Sequence, residues 1–316
     1  MTLTVIVCSH NPREDYLRRT LEGLRSQTLP KDQWEFLLID NHSDKPLETE
    51  VDLSWHPNAR IIREDELGLT PARLRGIRES RSERLLFVDD DNILDRAYLA
   101  GAVDIGQRHP NIGVYGGVIV PEFEAEPPID TKPLWQSLAL RSFDRDLWAN
   151  FPLYPGPCGA GLCVQKAVAL RYAATLANCP IRRTLDRKGA SLASAGDDDI
   201  ILTAIDMGLG IGMFTALKLV HLIAARRCTE AYLLRLEESI VCSGTLLDYA
   251  KGGSPHQSRN DGRSLQRRMF STLVATAENL LSGAMQRKRQ AAHERGRQAA
   301  LRRIAEIEAS KNQPVA

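Results

Sequence analysis

"LTVIVCSHNPREDYLRRTLEGLRSQ", residues 3 to 27, begins as a continuous apolar run and changes at "HNP" into a helical pattern. The run "LTVIVCS" (3–9) lacks the polar alternation of a half-exposed strand, as expected of a strand covered on both faces in a parallel sheet. Beyond Pro12, the residues Tyr16, Leu17, Leu21 and Leu24 recur at helical spacing, so a helix is predicted over Arg13–Gln27. A strand running into a helix is half of a βαβ unit, and the alternation continues downstream. "WEFLLIDN" (34–41) and "ARIIRE" (59–64) read as the second and third strands, and "TPARLRGIRES" (70–80) as a helix with Pro71 in its first turn. "RLLFVDD" (84–90) is the fourth strand, Ala97–Arg108 a helix and "IGVYGGVIV" (112–120) the fifth strand. The predicted fold is α/β, a doubly wound, mostly parallel Rossmann-like sheet flanked by helices. Ligands of such sheets bind beyond the carboxyl ends of the strands.

That rule brings three polar strand endings to one edge: Ser9, His10 and Asn11; the stretch from Asp40 to Asp44; and Asp89, Asp90, Asp91 and Asn92. Along an extended backbone Asp89 and Asp91 face one way and Asp90 the other. Two converging carboxylates suit Mg²⁺ or Mn²⁺, which keep positions open for water and phosphate. The plainer alternative is a solvated turn. A second acidic cluster, Asp197, Asp198 and Asp199, follows Gly196 at the start of a helix reaching to about Met207. It is either an over-capped helix or the site of a general base for an incoming hydroxyl. Between the two clusters, "YPGPCGAGLCVQKAVAL" (154–170) places Gly159, Ala160 and Gly161 in a turn ahead of a helix from about Lys166. The turn is either a tight connection or a place where backbone amides approach a bulky ligand. In "LKLVHLIAARR" (217–227), His221 ends an apolar run just before Arg226 and Arg227, and is either structural or a ligand.

The net charge of +1 demands no polyanionic partner, nucleic acid included. The six cysteines, at positions 8, 158, 163, 179, 228 and 242, contain no CxxC pair or zinc spacing, which points to reduced thiols in a cytoplasmic protein. The start has no basic, apolar leader pattern, and the longest C-terminal apolar stretch, Met269 to Met285, is broken by Glu278 and Asn279, so no membrane-spanning helix is predicted. A polar segment, 251–262, is read as a linker to a basic helical extension, 263–316, with helices over Leu265–Leu281 and Met285–Ile307. These helices offer a peripheral contact with the inner face of a membrane, a homo-oligomer contact, or a hairpin packed on the rest of the chain.

The ordered segments "VCSHNPREDYLRRTLEGLRSQT", "LLIDNHSD", "LGLTPARLRGI", "LLFVDDDNIL", "GPCGAGLCVQK" and "GDDDIIL" resemble the family 2 glycosyltransferases, inverting enzymes of the GT-A fold, over roughly residues 3 to 225. The resemblance implies a catalytic domain at 1–250, with a nucleotide-sugar half (1–120) and an acceptor half (121–250). It implies that Ser9, His10, Asn11, Asp40 and Arg73 bind the nucleotide sugar, with Asp90 beside them. The family's usual Asn after the arginine is Leu74 here. The resemblance further implies that Asp89, Asp91 and His221 hold Mn²⁺ or Mg²⁺ on the donor's diphosphate, and that Gly159, Ala160, Gly161 and Asp199 lie on the acceptor side. Asp198, with Asp197 in place of the usual Glu, would be the base, with a register ambiguous by one residue. The implied reaction moves a sugar from a nucleoside-diphosphate sugar, expected to be a UDP-sugar, to a hydroxyl of a glycan, lipid-linked or other acceptor. A metal-dependent phosphotransferase and a non-catalytic nucleotide-binding scaffold are the competing readings. The first needs a DxD directly after the first strand, where this chain has "CSHNP"; the second would be expected to lose the acidic pair that this chain keeps.

Overall fold

The computed structural model describes residues 1–154, 156–253 and 283–311. The strands are β1 (Leu3–Ser9), β2 (Trp34–Asn41), β3 (Ala59–Glu64), β4 (Arg84–Asp89), β5 (Asn92–Leu94), β6 (Ile112–Phe123), β7 (Leu147–Ala149), β8 (Leu162–Gln165) and β9 (Gly210–Ile223). The helices are α1 (Glu14–Arg25), α2 (Leu47–Glu50), α3 (Leu69–Glu79), α4 (Tyr98–Arg108), α5 (Lys166–Ala177), α6 (Gly196–Asp206), α7 (Glu230–Ala250) and α8 (Gly283–Lys311).

The strands form one sheet in the order β3-β2-β1-β4-β8-β6-β9-β5, with β7 pairing β9 off that path. The long strands run parallel, β3, β2, β1 and β4 together and β6 with β9, while β8, β7 and β5 run against their neighbours. The continuous apolar runs have a plain cause. Alternate residues of one strand enter two different cores: Val5 and Val7 pack with Leu17 and Leu24 of α1 and Leu99 of α4, whereas Ile6 packs with Ala72 and Ile77 of α3. At about 1.5–3 kcal/mol for each large apolar side chain removed from water, both faces favour apolar residues, and the period-2 signal vanishes.

Two topological details position the site. Strand β8 is antiparallel to β4, pairing Leu162 with Phe87, so the turn at 159–161 enters the sheet at the edge where β4 ends. Strand β5 folds back after the aspartates and pairs with β9 so that Asn92 stands opposite His221. The predicted helix at 13–27 is shorter, with Arg13 as its N-cap residue, and the fifth predicted strand runs on to Phe123.

The chain divides into two compact units. One holds the sheet: 1–124, 139–178 and 197–224. The other comprises 125–138, 179–196 and the residues from 225 onward. Within this second unit α8 lies against α7 and buries Met285, Ala292, Ala300 and Ile304. Glu237 of α7 accepts from Arg289 Nε at 2.9 Å and His293 Nε2 at 2.7 Å, and from the Ser137 hydroxyl. Burial raises the Glu237 carboxyl, but these partners outweigh it and hold the group at about 2. Lys288 and Arg295 pair with Glu230 and Glu238 of α7, so part of the basic character of the C-terminal helix is spent on intramolecular ion pairs. The predicted helix at 285–307 is thus present as α8, while the predicted helix at 265–281 and most of the 251–262 linker lie outside the described residues. No helix among the described residues is long and apolar enough to cross a membrane.

Candidate active site

The ends of β1 and β2 are knitted together. Asn11, at a positive φ of 46°, donates through Nδ2 to Asp44 at 3.1 Å and accepts from the Asp44 amide at 2.8 Å. His10 is exposed and its Nδ1 lies 2.8 Å from the Asn41 carbonyl. Asp40 is buried and does internal work: Oδ1 accepts from the Ser43 amide, and Oδ2 from the Leu47 amide and Arg63 Nη1. Burial would raise its carboxyl, but the Ser43 side chain, then Arg63 and the Leu47 and Ser43 amides, prevail and keep it below the ordinary carboxylate range. Asp40 thereby shapes the loop from 41 to 47 and offers little surface of its own.

The three aspartates at the end of β4 are not equivalent. Ser9 Oγ donates to Asp90 Oδ2 at 2.5 Å, and Thr20 Oγ1 donates to the Asp90 carbonyl at 3.1 Å. Although Asp90 keeps partial solvent contact, burial first, then the charges of Asp91 and Asp89, push its carboxyl up to about 7 against the opposing pull of Ser9. Asp91 turns the other way, its Oδ2 lying 3.3 Å from Nε2 of the buried His221 and its Oδ1 accepting from Asn92 Nδ2 at 2.9 Å. The pairing of β5 with β9 makes that contact, because the Leu222 amide also donates to the Asp91 carbonyl at 2.8 Å. Of the three expected metal ligands, Asp91 and His221 are therefore in contact. Among the described residues no three His, Cys, Asp or Glu side chains form a closed metal-binding set. Carboxylate oxygens with one imidazole nitrogen nonetheless suit Mn²⁺ or Mg²⁺, ions that draw their remaining ligands from water and phosphate.

The second acidic cluster is tied to the glycine turn. Asp197 Oδ2 accepts from the Gly159 amide at 2.8 Å, and Oδ1 from the Asp198 amide at 3.1 Å. A Cβ on Gly159 would stand 2.7 Å from Arg73 Nη2 and 3.6 Å from Asp197 Oδ2, so helix α3, the turn and helix α6 converge at one point. Gly161 has a φ of +71°, and a Cβ there would meet the Tyr98 hydroxyl, which donates to the Gly161 carbonyl at 2.7 Å. Burial pushes the Cys158 thiol up to about 11, with Arg141 opposing and Asp197 and Asp89 adding to the rise. Asp198 is exposed and Asp199 fully buried, so of these two aspartates only Asp198 presents its carboxylate to solvent. Asp199, expected on the acceptor side, lies inside the fold.

Sequence reasoning did not find β5, which delivers His221 to Asp91, nor the Ser9–Asp90 pair. "NIL" after the aspartates was the only local sign of that strand.

This arrangement of strands and site belongs to a recognisable class. The fold is that of the GT-A glycosyltransferases: the chain is similar to a crystal structure of GalNAc-T7 with UDP, GalNAc and Mn²⁺, at 15% identity and a TM-score of 0.51, over 87% of this chain and 55% of that one. The chain thus spans little more than half the length of that protein. No curated protein matches the chain. Residues 4–161, half of the sequence, match the family described as glycosyl transferase family 2, and the chain belongs to that family.

Proposed function

We propose that the chain is an inverting transferase that moves a sugar from a nucleoside-diphosphate sugar, a UDP-sugar in the first instance, to an acceptor hydroxyl in glycan or glycolipid assembly. The observation that carries this reading is the contact of Asp91 with His221 beside the Asp90–Ser9 hydrogen bond. It puts a carboxylate and an imidazole beside the end of β1, on the edge that also holds the Gly159 turn, and so supports a cation and a nucleotide diphosphate there. Asp89, Asp91 and His221 would hold Mn²⁺ or Mg²⁺; bound there, the ion neutralises charge growing on the leaving phosphate. Ser9, His10, Asn11 and Arg73 line the donor side. Asp198, exposed at the start of α6, takes the proton of the acceptor hydroxyl, while Asp197 keeps the glycine turn against that helix. No protein nucleophile is required for a single displacement.

Hydrolysis of UDP-sugars tests this reading. The proposal expects slow, metal-dependent release of UDP. Asp198→Asn should keep donor binding and lose transfer, and turnover retained in that variant would move the base to Asp197. Cleavage of simple phosphate esters would favour a phosphotransferase, and binding without turnover a scaffold.

A further inference from the structure

Arg13 stands where the turn after β1 enters α1. Its guanidinium lies 4.0 Å over the ring of Tyr16. Two carboxylates hold it: Asp15, at 3.1 Å through Nε and 2.7 Å through Nη2, and Glu124 just beyond β6, at 3.0 Å through Nη1. The Arg13 and Glu124 side chains remain 40% and 41% exposed. Ion pairs this exposed contribute little to a fold, so stability alone does not account for a guanidinium held over a ring at this place. The location does. Tyr16 lies in the electrostatic field of Asp91 as well as Glu124, one helical turn from Thr20, whose hydroxyl donates to the Asp90 carbonyl. A guanidinium held over an aromatic ring can keep donor N–H groups available for recognition of a carboxylate or a phosphate. Glu124 occupies part of that donor set.

We propose that Arg13 is a donor-phosphate residue, presented by Tyr16, which exchanges the Glu124 carboxylate for phosphate oxygens of the nucleoside diphosphate. This inference rests on the nucleotide-sugar reading above. No bond is made or broken in the exchange: Glu124 is an internal competitor, and its departure leaves Arg13 over the Tyr16 ring and still beside Asp15. The opposite view, that the Arg13–Glu124 pair merely staples α1 to the end of β6, has a built-in comparison. Arg19 and Glu122 join the same two elements at 2.6 and 2.9 Å.

Calorimetric titration of the full chain with UDP and Mn²⁺ separates the two views. Arg13→Ala should weaken UDP roughly tenfold or more, as expected for loss of a hydrogen-bonded charge, and Arg13→Lys should restore part of the affinity. Glu124→Gln should tighten binding a few-fold by removing the competitor, and Glu122→Gln should leave it unchanged. UDP affinity in Arg13→Ala equal to the parent's, or Glu124→Gln weakening UDP as Arg13→Ala does, overturns the inference while the nucleotide-sugar reading stands. A parent chain that binds no nucleoside diphosphate overturns both.

Discussion

Asp197 shows how one side chain can tie a turn to a helix start: one oxygen holds the Gly159 amide and the other the amide of Asp198. Asp197→Ala is therefore expected to lower turnover with donor affinity largely kept, a split that steady-state kinetics against UDP binding would reveal. Gly159→Ala would put a methyl 2.7 Å from Arg73 Nη2, the movable end of that side chain, so the guanidinium is expected to shift: UDP binding should weaken in calorimetric titration while the unfolding midpoint stays near the parent's. Asp91→Ala is expected to remove the metal dependence of UDP binding, because it leaves His221 without the carboxylate 3.3 Å away. The sequence pointed to these residue types and to their common edge. It did not show that Asp40 would be consumed by its own loop, or that Asp199 would turn into the core. Those outcomes depend on the partners Leu47 and Arg63, and on the helical phase of α6, none of which a strand-end pattern contains.

Elements covered on both faces were legible because an unbroken apolar run can satisfy only a central strand. Thus β1 and β2 fall on their predicted residues and β4 ends one residue short of its predicted limit, while β3, a half-buried edge strand, also falls on its predicted residues through the short apolar pair Ile61 and Ile62. Three-residue strands such as β5 and β7 carry too little pattern to be seen. Helix α7 was not predicted: its cap Thr229, whose hydroxyl accepts from the Tyr232 amide at 3.2 Å ahead of Leu233 and Leu236, is a weak local sign, and its partner residues on α8 lie more than fifty positions away. The consequence at this scale concerns Glu237. Its folded carboxyl, held at about 2 against an ordinary 4.5, stabilises the α7–α8 pair fully above pH 4.5, and that contribution fades as the pH falls toward 2. Hydrogen exchange should therefore show α8 amides losing protection at pH 3 relative to pH 7. Glu237→Ala should show the same loss at neutral pH, because it removes the carboxylate shared by Arg289, His293 and Ser137, at a cost of roughly 1–3 kcal/mol.

In the whole molecule, chemistry is concentrated by topology. Parallel strands bring β1, β2 and β4 to one edge. The reversed β8 returns the glycine turn to that edge, and the folded-back β5 adds His221. Family membership and the GT-A fold agree with that layout. The central claim is metal-dependent transfer from a nucleotide sugar, and the most direct measurement is UDP release from a panel of UDP-sugars, with and without Mn²⁺, by the parent chain and by Asp91→Ala. The account predicts slow release from at least one UDP-sugar that needs Mn²⁺ and disappears in Asp91→Ala. Release that ignores both the metal and Asp91, or no release and no UDP binding under any condition, would contradict it.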